Sequence, residues 1–312
     1  MGSGSIPKLF AQLAIPAVVA QIINLLYNIV DRIYIGHMPE VGANALTGVG
    51  LFLPINMLLT AFAMLCGAGG APRAAIAMGQ KNLDAAEKIV ANCFSLLLCF
   101  AVALTAIFYA SAPALLRLFG ASDVTLPYAV EYGRIYILGS VFVLTTMGMN
   151  VFITTQGFAT ISMLTTVIGA GINIILDPIL IFGWFGLPAM GLAGAALATV
   201  IGQWIAACLA MGLNLKHNKE LKDLHRHHAK PDSQVIRSIL SIGVPSIIMV
   251  GIGSVMNFGI NQILQGFSET ATGVFGIYFK LQSFFFMPLF GINNAVISIV
   301  AFNYGARNPE RM

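Results

Sequence analysis

Asp31 and Asp177 stand inside long apolar stretches of a 312-residue chain whose other acidic residues lie almost entirely in the polar gaps between stretches. A carboxylate in hydrocarbon costs roughly 2.5 to 3.5 kcal/mol even on lenient insertion scales, so it persists where it faces a protein interior or a watery cavity and binds something. Asn24, Asn28 and Asp31 fall at i, i+4 and i+7, on one helical face, with Tyr27 alongside. Asn173 and Asp177 are again four apart, and Pro178 follows at once, leaving the carbonyl of Ile174 without its helical amide. Carboxylate, amide and freed carbonyl oxygens suit a hard cation such as Na⁺, while a carboxylate alone suits H⁺.

The elements that must carry these groups are membrane helices. Hydrophobic residues make up 58% of the chain and charged ones 9%, against about 25% charged in an ordinary soluble domain, and the mean hydropathy is +0.86. Eight apolar segments can be marked, at about 9 to 35, 45 to 72, 89 to 119, 128 to 155, 161 to 184, 187 to 213, 236 to 266 and 272 to 303. Each is long enough to cross about 30 Å of hydrocarbon as a helix. The alternating polarity of β-barrel spans is missing. The expected fold is an all-α, polytopic membrane protein of about eight transmembrane helices, and a soluble globule is excluded because a chain of this length could not cover so many apolar runs.

Asp31 lies five residues before Gly36 and Asp177 six before Gly183, which puts both within roughly 10 Å of the same end of their helices. They are expected to share one site. The plainer alternative makes them helix-end residues in the headgroup zone, with Arg32 and Trp184 as interfacial anchors. Pro16 lies in the same helix as Asp31 and weakens its hydrogen-bond ladder, a candidate hinge.

With the N-terminus placed inside, Lys8, Arg73, Lys81, Lys88, Lys216, Lys219, Lys222, Arg226, Lys230, Arg237, Arg307 and Arg311 fall on one side, twelve of the sixteen Lys and Arg residues. The positive-inside rule then favours a cytoplasmic N-terminus. The formal net charge of +4 is thus topological and calls for no nucleic acid. Cys66, Cys93, Cys99 and Cys208 have no metal-ligand spacing and read as small core residues. His217, His225, His227 and His228, with Glu220 and Asp223, read as part of a solvated basic loop rather than a metal cluster. The GAGGAP run at 67–72 lacks the G-K-[ST] ending of a phosphate loop and reads as a flexible turn towards Arg73. Gly194, Ala198, Gly202 and Ala206, four residues apart, form a close-packing stripe with Thr199 beside it.

An internal repeat organises the chain. ANALTGVG at 43–50 resembles ETATGVFG at 269–276, and in the same register AIAMGQKN ending at Asn82 matches AFNYGARN ending at Asn308. Pro16 and Pro245 begin the two copies, with Asn28 and Asn257 at equal distance beyond them. Parallel repeats are a recurring plan for secondary transporters. The expected division is an N-lobe at 1–215, an inter-lobe linker on the cytoplasmic side at 216–235, and a partial C-lobe at 236–312 whose copy stops after its second helix, as in a fragment of a two-lobed protein or an unusually short relative.

At LYNIVDRIYIGH, NIILDPILIFG, GLAGAALATVIGQ and FMPLFGINNAVISIVAFNYGARN the sequence resembles the multidrug and toxic compound extrusion (MATE) family, in its MepA- and DinF-like bacterial branch. The resemblance covers essentially the whole chain. It implies six-helix lobes of the MOP superfamily, here an N-lobe of six helices plus the first two helices of the C-lobe, in a bacterial cell (inner) membrane. It further implies export of amphipathic and cationic drugs in exchange for H⁺ or Na⁺ by alternating access, with no other cofactor and no obligate protein partner. Carried across by motif, the cation-coupling residues are Asp31, Asn173, Asp177 and Thr199, with a possible Na⁺ at the first three. Asn24, Tyr27, Asn28 and Asn150 fall where the family lines its substrate pocket, and Pro16 matches a first-helix proline associated with bending. Two other readings are carried forward. A flippase for lipid-linked saccharides would need a cationic cavity, for which Lys280 and Arg134 are the candidates. An intramembrane aspartyl protease would also use two buried carboxylates, but neither Val30-Asp31-Arg32 nor Leu176-Asp177-Pro178 resembles a G-x-G-D motif.

Overall fold

The computed structural model describes residues 2, 4–217, 231–267 and 269–312. Its helices are α1 (Ile6–Gly36), α2 (Gly42–Gly69), α3 (Ala71–Gly79), α4 (Leu83–Leu118), α5 (Leu126–Thr155), α6 (Ala159–Phe182), α7 (Gly191–His217), α8 (Ser233–Gln265) and α9 (Glu269–Gly305), with no strand among the described residues. Eight spans long and apolar enough to cross a membrane are found there, α2 and α3 together forming one of them. Each overlaps one of the eight apolar segments of the sequence, the last two being shorter, at Ser233–Gly253 and Phe284–Gly305. Large apolar side chains such as Val102, Ile107, Leu138 and Ile175 point outwards, as a lipid-facing surface requires.

Local chemistry sets the helix ends. Asn82 caps α4 by accepting from the Ala85 amide at 3.1 Å, with Asp84 in the first turn and Arg117 in the last to complement the helix dipole. Asn82→Ala is therefore expected to cost about 1 kcal/mol, read as a lowered thermal midpoint in detergent, while Asn82→Asp keeps the cap. Asp232 caps α8 through the amides of Gln234 and Val235, at 2.8 and 3.3 Å. The Lys88 ammonium bonded to it, and then those two amides, hold the Asp232 carboxyl below the usual carboxylate range. Pro16, Pro54, Pro113, Pro178, Pro245 and Pro288 all lie within continuous helices.

The GAGGAP run departs from the expected flexible turn. Gly67, Gly69 and Gly70 are buried, where loop amides would find no water, so the backbone stays in helical bonds. Gly70 donates to the Cys66 carbonyl at 2.8 Å, and Ala74 to the Gly70 carbonyl at 2.9 Å. Cys66 and Cys93 are core residues as expected, but Cys99 and Cys208 are exposed. The apolar context from which all four were read as core is also the context of a lipid-facing surface.

A core of Ile55, Leu59, Leu97, Leu116, Ile137, Leu144 and Phe152 joins α2, α4 and α5. α6 packs closely along α7, and α1 lies against both α6 and α9. The close approach of α6 and α7 depends on Gly202, where an added Cβ would stand 2.7 Å from the Gly169 carbonyl oxygen and 3.4 Å from the Asn173 Cβ. The glycine part of the predicted stripe thereby fixes the distance between the helix carrying Asn173 and the helix carrying Thr199.

The sequence repeat reappears as repeated geometry. Asn82 donates from its amide to the Ala77 carbonyl at 2.9 Å, and Asn308 to the Asn303 carbonyl at 3.0 Å. The Asn82 side chain accepts from the Ala85 amide, and the Asn308 side chain from the Arg311 amide at 3.4 Å. Lys81 and Arg307, one residue before each asparagine, both have positive φ, 59° and 53°. The residues 218–230, with most of the expected linker and the His225, His227 and His228 group, lie outside the described residues, as do the side chains of His217, Asn257 and Lys280.

Candidate ion-coupling site

The site forms where α1 crosses α6. Asp31 is buried at 7% exposure and Asp177 at 0%, so neither is a solvated helix-end residue of the headgroup zone. Their carboxyl groups lie close enough for one to hydrogen-bond the other when a proton is present. The Asn173 amide donates from Nδ2 to Asp177 Oδ1 at 3.2 Å and to Thr199 Oγ1 at 3.2 Å. Thr199 in turn donates to the Ala195 carbonyl at 3.1 Å, which leaves its hydroxyl oxygen turned towards Asn173. Four residues from three helices are thus brought together, and the pairing of Asp31 with Asp177 is the one expected from their distances to Gly36 and Gly183.

Three buried oxygens in this cluster have no donor, namely Asp31 Oδ1, Asn173 Oδ1 and Asp177 Oδ2. A buried acceptor left unpaired costs about 1 to 3 kcal/mol, and more when charged, so three together at one place fit a bound cation. Pro178, buried beside them within α6, adds the Ile174 carbonyl to the available oxygens. Among the described residues no group of three or more His, Cys, Asp or Glu has metal-binding proximity, so the donor set is two carboxylates, an amide and a hydroxyl. That set suits a hard monovalent ion or a proton rather than a transition metal.

The proposed pocket residues are distributed differently. Tyr27 lies beside Asn28, Gln203 and both carboxylates. Asn28 is exposed and donates to the Asn24 carbonyl at 2.6 Å, so it does not bond Asp31. Asn150 accepts from Thr165 at 3.1 Å, and Thr165 is twelve residues before Asp177 on α6, about 18 Å away along the helix. It belongs to a different level of the lobe. Arg134, weighed above as an embedded positive charge, is exposed and stacks over Tyr109 at 5.3 Å.

Sequence reasoning passed over the wall behind the acids. Tyr132 and Tyr136, both buried on α5, lie within electrostatic range of Asp31, and Tyr132 also of Asp177. Phe52 meets both rings edge-on, at 5.6 and 5.2 Å between centroids, and the Tyr136 hydroxyl donates to Asn56 Oδ1 at 3.1 Å. Tyr132 and Tyr136 at i, i+4, with Asn56 and Gln203 in mid-span, are polar groups in apolar helices, the same signal that exposed Asp31.

Spans built on a parallel repeat, with an acid pair enclosed between α1 and α6, define a polytopic membrane protein of the MOP transporter architecture. The MatE family model matches residues 16–179 and 245–312, and the chain belongs to the MATE family. It is 28% identical over 308 residues to the multidrug export protein MepA of Staphylococcus haemolyticus, covering 99% of this chain and 66% of that protein. The chain thus spans about two thirds of the length of the curated relatives it matches. Among solved structures it superposes on an outward-facing multidrug resistance MATE transporter of the MOP superfamily with a TM-score of 0.89 at 27% identity, covering 99% of this chain and 67% of that one. A MATE transporter in a bent conformation matches with a TM-score of 0.87 at 26% identity, covering 99% and 68%. These relatives are named as export proteins and transporters, not as enzymes.

Proposed function

We propose that the protein works as a secondary antiporter that exports amphipathic, cationic drugs across a bacterial cell membrane in exchange for H⁺ or Na⁺. The observation that carries this reading is the cluster of donor-less buried oxygens shared by Asp31, Asn173 and Asp177. These oxygens suit either ion, since Na⁺ can be held by carboxylate and amide oxygens together and a proton on either carboxyl supplies an O–H donor. Thr199 fixes the Asn173 amide by accepting from the same Nδ2 that donates to Asp177 Oδ1. Charge entering between Asp31 and Asp177 relieves their repulsion and draws α1 towards α6, and Pro16, in the same helix, is the point at which α1 gives way. Tyr27, beside the acids, and Asn24 and Asn28 on the same helix couple that movement to the drug, with Asn150 further along the lobe. The basic residues gathered on the N-terminal face make that face cytoplasmic.

The test uses the full chain in proteoliposomes loaded with ethidium. Either a Na⁺ gradient imposed at fixed pH or a pH gradient without Na⁺ is expected to drive ethidium transport. Transport that ignores both gradients would sink the proposal.

A further inference from the structure

On the face that carries the N-terminus, the α3–α4 turn, the start of α8 and the end of α9, the two repeats meet backbone to backbone. A Cβ on Gly79 would collide with the Phe302 carbonyl and stand 2.9 Å from the Ala306 nitrogen, and a Cβ on Gly305 would collide with the Ile76 carbonyl and stand 2.8 Å from its carbon. In the register that pairs Asn82 with Asn308, Gly79 corresponds to Gly305 and Ile76 to Phe302. The contact therefore maps onto itself, as at a two-fold interface where i meets j and j meets i. Bare backbone at such a crossing lets one helix rotate over the other without repacking side chains.

On either side of the crossing, the first helix of each repeat is tied at its entry to the other repeat. At the start of α8, Asp232 forms an ion pair with Lys88 of α4, and its amide donates to Asn92 Oδ1 at 2.8 Å. At the start of α1, the Gly4 carbonyl accepts from Arg311 Nη1 at 2.9 Å, and Arg311 is steadied by Asn303 Oδ1 at 3.2 Å. Lys88 lies six residues after Asn82 and Arg311 three after Asn308, so the two ties follow the same turn of the repeat without being equivalent positions. Beside the first tie, a cleft of about 250 Å³ is lined by Arg73, Ile89, Gln234, Val235, Ser238 and Ile239, the last of them buried in the apolar core.

We propose that this face is a gate between the repeats, pivoting on the Gly79–Gly305 crossing and latched by the Lys88–Asp232 ion pair, with the Arg311–Gly4 bond as a second tie. The Lys88 and Asp232 side chains retain 40% and 26% of their exposure, so water can solvate them as they part. The latch holds weakly and reversibly, as a gate that opens in every cycle requires. The inference rests on the antiport proposed above, but its readout needs neither drug nor gradient.

Spin labels on Asp84→Cys and Ser233→Cys, in the full chain with Cys99→Ser and Cys208→Ser, report the separation of α4 from α8 by electron double resonance. Asp232→Asn keeps the cap of α8 and removes its charge; Lys88→Gln releases the latch from the other side and leaves the cap intact. Each is expected to raise the ratio of long to short distances about two- to fivefold, the range of an exposed ion pair. High salt should produce the same shift in the parent chain and little in either variant. An unchanged ratio in either variant, or an equal salt response in variant and parent, would overturn the latch. A shifted ratio in a protein that transports nothing would leave the gate standing and remove the antiport reading.

Discussion

Asp177→Asn is expected to leave the protein folded and take away its gradient-driven transport. The substitution keeps the shape of the side chain and removes a charge from a fully buried position. Burying that charge costs stability, so the thermal midpoint in detergent should stay level or rise. Transport should fall by about 10- to 100-fold, the range seen when a group around an ion site is lost. Asp31→Asn should do the same, and the double variant should be little worse than either single one, because two groups acting as a unit do not add. Initial rates of ethidium movement in proteoliposomes check all three. Undiminished transport in Asp177→Asn would remove Asp177 from the mechanism.

The second large effect is steric. Gly202→Leu puts a branched side chain where even a Cβ stands 2.7 Å from the Gly169 carbonyl oxygen, and α7 must move away from α6. Overpacking of this kind costs about 1 to 3 kcal/mol, visible as a lower thermal midpoint. Thr199 lies three residues earlier on the same helix, so the displacement also draws its hydroxyl off the Asn173 amide, and ion-dependent transport should fall with stability. Gly212→Leu is the control, since nothing lies within 4 Å of a Cβ there, and it should leave both unchanged. If the two leucine variants behaved alike, the close approach of α6 and α7 would not be what holds the site.

The polar residues of the site were unequally legible. Asp31 and Asp177 stood out because a charge in an apolar stretch is costly wherever the helix lies, and similar distances from their helix ends placed them at similar height. Asn173 and Thr199 were reached through helical spacing and family motif. Asn28 looked equally well placed by spacing, yet the structure turns its amide back to the Asn24 carbonyl, a choice between partners that periodicity does not encode. Tyr132 and Tyr136 were legible in principle, but a tyrosine in a membrane helix is commonly an interfacial residue. Only contact with Phe52 and Asn56 distinguishes the buried case.

Span number, helical class, the repeat and its register all follow from the sequence, because in a bilayer every backbone group must be bonded within its own helix and apolar length alone decides what can span. Partnership between helices belongs to a different physics. Which face of α1 meets α6, how near Gly202 lets α7 approach, that Gly79 and Gly305 cross, and that Lys88 reaches Asp232 are decided by packing between segments far apart in the chain. Lipid and protein interior are equally apolar to a side chain such as Cys99 or Cys208, so hydropathy cannot tell an inward face from an outward one. The tertiary structure makes that choice, and with it turns two isolated acids into one site.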